Sequence, residues 1–129
     1  MKVLFVELGM GADLHGQDLT VAAVKACKNA IERNSLPGWV MMCPNGDKRY
    51  FRVRVTLGVP AVAGAEPLDI EQVKAVFPYG QVEVIVQPGG LIADSQVYLP
   101  DKGDRTREII MVCAAVEAGV PDDVVESAV

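Results

Sequence analysis

The chain has 129 residues, 50% of them hydrophobic and 22% charged. That content supports a single folded domain over residues 1–129 and excludes a disordered chain. A net charge of −5 lacks the basic footprint of a nucleic-acid binder, and aromatics at only 5% leave most packing to Val, Ile, Leu and Ala.

The first strand is predicted over Lys2–Leu8. Val3 and Phe5 on one parity and Leu4, Val6 and Leu8 on the other make both faces apolar. Such a strand is central, or is covered by a second layer or partner chain. Gly9-Met10-Gly11-Ala12-Asp13-Leu14-His15-Gly16 follows as a loop that holds the only histidine. The first helix should begin near Asp18, whose carboxylate can cap it. Val21, Val24, Cys27 and Ile31 recur at helical spacing beside Ala22, Ala23, Ala26 and Ala30. Pro37-Gly38 ends it.

A short strand is predicted at Trp39–Met42. Asn45-Gly46 reads as a hairpin turn. Phe51, Val53, Val55 and Leu57 then alternate with Tyr50, Arg52, Arg54 and Thr56, a strand with one apolar and one polar face. Arg52 and Arg54 are read as lying at a subunit interface, with Glu83 as a cross-strand partner. Residues 58–67 form an apolar loop. A second helix, capped by Asp69, carries Ile70, Val73, Val76 and Phe77 and stops at Pro78-Tyr79-Gly80. Gln81–Gln87 is another strand.

Pro88-Gly89-Gly90 opens a second glycine loop that continues through Asp94-Ser95, and Gln96–Leu99 reads as an edge strand. A third helix is predicted from Asp104, with Ile109, Val112, Cys113 and Val116 buried and Gly119 as its C-terminal glycine. Pro121-Asp122-Asp123 opens a last helical turn. The expected fold class is α+β: a mixed or antiparallel sheet of about four strands, with three helices mainly on one face. The two-faced first strand predicts a homo-oligomer.

Cys27, Cys43 and Cys113 are odd in number and far apart, against a disulfide framework. No signal-peptide core follows Met1-Lys2, and no apolar run approaches the roughly 20 residues of a membrane span. A cytoplasmic setting is expected, with neither nucleic acid nor membrane as partner.

Strand, glycine turn, Asp and helix describe residues 3–31 and again 82–116. If the two units share a sheet end, Asp13, His15 and Asp94 come together as the candidate catalytic residues. Gly9, Gly11, Gly16, Gly89 and Gly90 are then the candidate ligand-binding glycines, able to let a small molecule reach the backbone. Asp13 and His15, two residues apart, can hold a divalent metal, the candidate cofactor, or act as an oriented acid–base pair. Either can instead serve its own loop. The glycines depart from the dinucleotide fingerprint, because Leu14 stands where its third glycine belongs. Ser95 is a weaker nucleophile candidate, with Lys102 as its activator.

The stretch Gly9–Gly16, read as GxGxDxHG, with Gln17-Asp18-Leu19-Thr20 and Ile31–Gly38, resembles a small uncharacterised family of scattered bacteria and plants. That resemblance implies a signature of Gly9, Gly11, Asp13, His15 and Gly16 and no activity. Gly11–His15 is also similar to the G-x-D-x-H turn of isoprenoid-pathway cyclodiphosphate synthases, which implies a metal held by Asp and His between subunits. The strand–glycine-turn–helix unit is similar to a domain of the ring-opening amidohydrolases. The function that follows is a small-molecule enzyme, metal-assisted hydrolase or lyase, working at the Asp13/His15 loop. The alternative is a non-catalytic homo-oligomeric binding or accessory protein.

Overall fold

In the computed structural model, which describes residues 1–124, the elements run β1 (Lys2–Asp13), α1 (Leu19–Ile31), α2 (Pro37–Met42), β2 (Arg52–Val59), α3 (Ile70–Lys74), β3 (Gln81–Pro88), β4 (Leu91–Asp94) and β5 (Glu108–Val120). The strands form one mixed sheet in the order β1-β5-β2-β3, with β4 pairing β5 alongside β2. β5 is antiparallel to β1, β2 and β4, and β2 is parallel to β3. The α+β class with three helices therefore holds, and the sheet has five strands rather than about four.

One face of the sheet carries the helices. Val53, Val55 and Leu57 of β2 and Ile110, Val112, Val116 and Val120 of β5 point into a core shared with α1, Trp39 of α2 and Val73 of α3. Asp18 caps α1 as expected, its Oδ1 accepting the Thr20 and Val21 amides, and Asp69 caps α3 in the same way. Each cap stabilises its helix by about 1 kcal/mol.

Helix α1 lies very close to β1. A Cβ at Gly9 would stand 2.3 Å from the Ala26 carbonyl oxygen, and one at Gly11 would stand 2.4 Å from that of Ala22. Ala22, Ala26 and Ala30 present the matching small-residue stripe of the helix and are fully buried. Gly9 and Gly11 are thus residues of a strand that runs on to Asp13, not of a loop. Their missing side chains admit a helix rather than a ligand.

Other expectations change. Residues 108–120, read as a helix, are the central strand β5, and Gly119 is a strand residue. The apolar spacing at 109, 112, 113 and 116 imitates a helix because β5 carries Ile109, Met111 and Cys113 on its outward parity as well as Ile110, Val112 and Val116 on its inward one. Trp39–Met42 is helical, within α2, because Pro37 sits at its first turn. Asn45-Gly46 lies in a 3₁₀ turn with Asn45 at φ 55° rather than in a hairpin. The strand near the second glycine loop is Leu91–Asp94, not Gln96–Leu99. After β5, the Val124 amide closes a turn on the Pro121 carbonyl, and any helical continuation falls outside the described residues.

The other face of the sheet has no helix on it. Val6, Leu8 and Met10 of β1 point outward and are 61%, 75% and 59% exposed. Across the sheet they continue as the rows Val6–Glu117–Arg54–Glu83, Leu8–Ala115–Thr56–Ile85 and Met10–Cys113–Gly58–Gln87. Arg54 grips Glu117 with two hydrogen bonds of 2.9 Å, and Glu83 stands opposite it on β3 as the second cross-strand acid. The β1 edge is partly occupied. Asn29 of α1 accepts the Met10 amide and Lys25 donates to the Ala12 carbonyl, which blunts strand addition there.

Candidate functional site

Because β1, β2 and β3 run in the same direction, their C-terminal ends share one end of the sheet. The loop after β1 (residues 14–18) meets the segment before β5 (residues 99–107) there. Asp104 is the centre of the junction. It is buried, and its carboxylate accepts four hydrogen bonds. The Gly16 amide (2.8 Å) and Gln17 Nε2 (3.1 Å) donate to Oδ1; the Leu99 amide (2.9 Å) donates to Oδ2, and His15 Nδ1 lies 2.8 Å from the same oxygen. Burial opposes its ionisation. The Leu99 amide, His15, the Gly16 amide and Gln17 together outweigh that and hold the carboxyl well below the usual carboxylate range.

Gln17, fully buried at φ 52°, completes the junction. Its Nε2 also donates to the Glu108 carbonyl (2.8 Å) and the Thr106 carbonyl (3.3 Å), while its Oε1 accepts the Arg105 amide (3.0 Å). One side chain thus does for the incoming β5 segment what a neighbouring strand would do. Gly16, at φ 101°, supplies the backbone reversal between His15 and Gln17. Arg105 reaches across to the Gln17 and Gly64 carbonyls, which brings in the loop after β2.

The sequence-predicted residues divide. His15 projects from this junction with its ring 28% exposed. With a carboxylate facing Nδ1, the proton belongs on that nitrogen and Nε2 is left outward. Nε2 has no hydrogen-bond partner among the described residues. Asp13 is buried and turned into its own loop, where Oδ2 accepts the Asp18 amide at 2.8 Å. Asp94 stands across β5. It is in register with Glu108, whereas Asp13 is in register with Ile110 on the opposite edge, so two strand spacings of roughly 10 Å separate them. Its carboxylate is taken by Arg107 and by the Gln96 amide. Ser95 Oγ donates to the Val97 carbonyl in a local turn.

Gly89 and Gly90 form the corner between β3 and β4. A Cβ on Gly90 would stand 2.1 Å from the Met111 carbonyl oxygen, and one on Gly89 would stand 2.9 Å from Gly58 Cα. Like Gly9 and Gly11, they let chain pass close to chain. The repeat suggested by residues 82–116 is therefore a corner and a strand, not a second strand–helix unit.

Among the described residues no three His, Cys, Asp or Glu side chains gather at one point. Asp13 Oδ2 is engaged by its own loop and His15 Nδ1 by Asp104. What the site offers is a buried carboxylate orienting one imidazole. Asp104 was hidden in the sequence by its position. It follows a turn and precedes an apolar run, and so reads as a helix cap. The usable signal was that a lone histidine in a loop needs an acid from elsewhere to fix its ring.

A cleft of about 410 Å³ lies nearer the other end of the sheet, among Glu7, Asn34, Trp39, Phe51 and Tyr79. No helix among the described residues is long and apolar enough to cross a membrane.

Residues 3–118 match the family model described as "Conserved hypothetical protein (Lin0512_fam)". The chain is also similar to a protein from Nostoc punctiforme, whose crystal structure is described as that of an FtsZ-like protein of unknown function. The two share 35% identity over 93% of this chain and 97% of that one, with a TM-score of 0.70. No curated protein matches.

Proposed function

The chain belongs to the Lin0512 family of conserved hypothetical proteins, and we propose that it is a small-molecule enzyme of the cytoplasm that uses His15 for proton transfer. The observation that carries this reading is the 2.8 Å contact between His15 Nδ1 and the buried Asp104 carboxylate. A carboxylate in that position fixes the tautomer, orients the ring and stabilises the imidazolium formed when Nε2 takes a proton. Hydrolysis or elimination, in which one imidazole takes a proton from water or from carbon and returns it to the leaving group, suits this pair. Asp13 and Asp94 are not assigned catalytic roles, because each is bonded within its own neighbourhood. The three free cysteines, two of them buried, accord with a reducing compartment.

The site lies open, and a second copy of the chain supplies the missing wall. The outward positions of β1 lead straight to it. Val6, Leu8 and Met10 are followed at the same parity by Leu14, which is 56% exposed and adjacent to His15. A contiguous apolar stripe of this kind marks an interaction surface. A copy seated on it would border the imidazole.

The test is turnover of a panel of esters, amides and hydroxy acids by the wild type, His15→Ala and Asp104→Asn. Activity should vanish in the first variant. In the second it should fall by roughly 10²-fold or more, the contribution expected of a positioned acid–base group. Turnover that survives His15→Ala defeats the proposal. The exposed row of Val6, Leu8 and Met10 favours a second reading, a non-catalytic oligomeric binding protein. That reading is supported if the assembled protein binds a panel member without converting it.

A further inference from the structure

The 410 Å³ cleft is separate from the His15 site and has a chemistry of its own. Its volume is that of a small-molecule pocket. The floor is the helix-covered face of the sheet, with Val53, Val116 and Ala118; the C-terminal end of α1, the start of α2 and the turn after α3 form the rim. Three aromatic rings meet in its wall. Trp39 stacks on Phe51 with centroids 4.0 Å apart, and Tyr79 lies 5.0 Å from Trp39. Lys48, which does not line the cleft, sits 4.5 Å over the Tyr79 ring.

Into this apolar hollow points one acid, Glu7. It stands on the inner face of β1 opposite Val116, where an apolar residue would be ordinary. Asn34 Nδ2 donates to its Oε2, and Asn34 is itself held by the Ala30 carbonyl at 2.9 Å. No cation lies within ion-pair distance of Glu7 among the described residues; Lys and Arg side chains elsewhere pair with Asp47, Asp94, Glu71 and Glu117. A partly desolvated carboxylate with one neutral partner is most favourably completed by a cation. Planar walls beside it favour a flat apolar group.

We infer that this cleft binds an organic cation, an amine carrying a planar apolar group, with its ammonium on Glu7 and its ring against Trp39, Phe51 and Tyr79. The site is independent of any chemistry at His15.

Trp39 is the only tryptophan, so its emission reports the cleft alone. The probe is phenethylamine, with 2-phenylethanol as its neutral counterpart and 3-phenylpropionate as its anionic one. Phenethylamine should shift Trp39 emission saturably. The alcohol should bind about tenfold or more weakly, as expected for loss of a charge-assisted hydrogen bond, and the acid should not bind. Glu7→Gln, which keeps the Asn34 contact, should reduce phenethylamine to the affinity of the alcohol. Tyr79→Leu, on the rim, should weaken all binding severalfold, while His15→Ala should change nothing. Equal binding of amine and alcohol, no saturable response to the amine, or full affinity in Glu7→Gln would each overturn the assignment.

Discussion

His15 Nδ1 lies 2.8 Å from Asp104 Oδ2, across 89 positions of sequence. The contact joins the end of the first strand to the approach of the last. The imidazole and the carboxylate that holds the two segments together are therefore one unit, and its loss can be read through stability.

The first prediction concerns acid. The folded-state pKa of Asp104 is depressed, so its stabilising effect is complete above the unfolded carboxylate value near 4 and is lost as pH falls below it toward the folded value. The urea midpoint of the wild type should drop steeply from about pH 5 downward. In Asp104→Asn it should start lower and fall less steeply. Parallel profiles for the two proteins would remove Asp104 from this role.

Gln17→Ala deletes the side chain that serves Asp104 and the backbone of residues 105–108. The Arg105 amide and the Glu108 carbonyl, both part-buried, would lose their side-chain partner. We expect a loss of about 2–4 kcal/mol in urea unfolding, and faster amide exchange at Arg105 than in the wild type. A loss below 1 kcal/mol would mean that water replaces the amide without penalty.

Gly11→Ala should be costly although alanine is the smallest change available. The new methyl would meet the Ala22 carbonyl oxygen and the Ala26 amide, both at 2.4 Å, and neither is the end of a flexible side chain. Helix α1 must shift, at about 3 kcal/mol. Calorimetry checks this, and an unchanged melting temperature would contradict the close strand–helix packing.

The thiols should react in sequence. Burial pushes Cys27 up to about 12 and raises Cys43 as well, whereas Cys113 is exposed on the open sheet face. Native protein diluted to monomer should titrate one fast thiol with a disulfide reagent. Assembled protein should protect that same thiol, since Cys113 stands opposite Met10.

Leu8→Lys tests whether a second copy covers the open face. Leu8 is 75% exposed in the single chain, so the substitution should leave monomer stability within about 0.5 kcal/mol while shifting sedimentation toward the monomer. A wild type that sediments as a monomer at high concentration refutes the second copy.

Much of this was readable from residue order. Asp18 and Asp69 announced their helices because a capping carboxylate acts within three residues, and β2 announced itself by alternating Arg and Val. Local rules failed where the partner is distant. β5 is apolar at both parities, with Ile109, Met111 and Cys113 outward, and only the register of its neighbours separates that pattern from a helix. The glycines of 9–11 were visible, but not what they face, because the stripe Ala22–Ala26–Ala30 beneath them reads as ordinary helix. The acid that orients His15 could not be found by spacing, since a contact across 89 positions is written in topology alone.

The central position of β5 also bears on synthesis. It is the latest strand in the order of the chain, yet β1, β2 and β4 all pair with it. While a ribosome is still building the first hundred residues, β1 and β2 have no strand between them, and the apolar faces of both must wait. Folding should therefore be slow for a domain of this size.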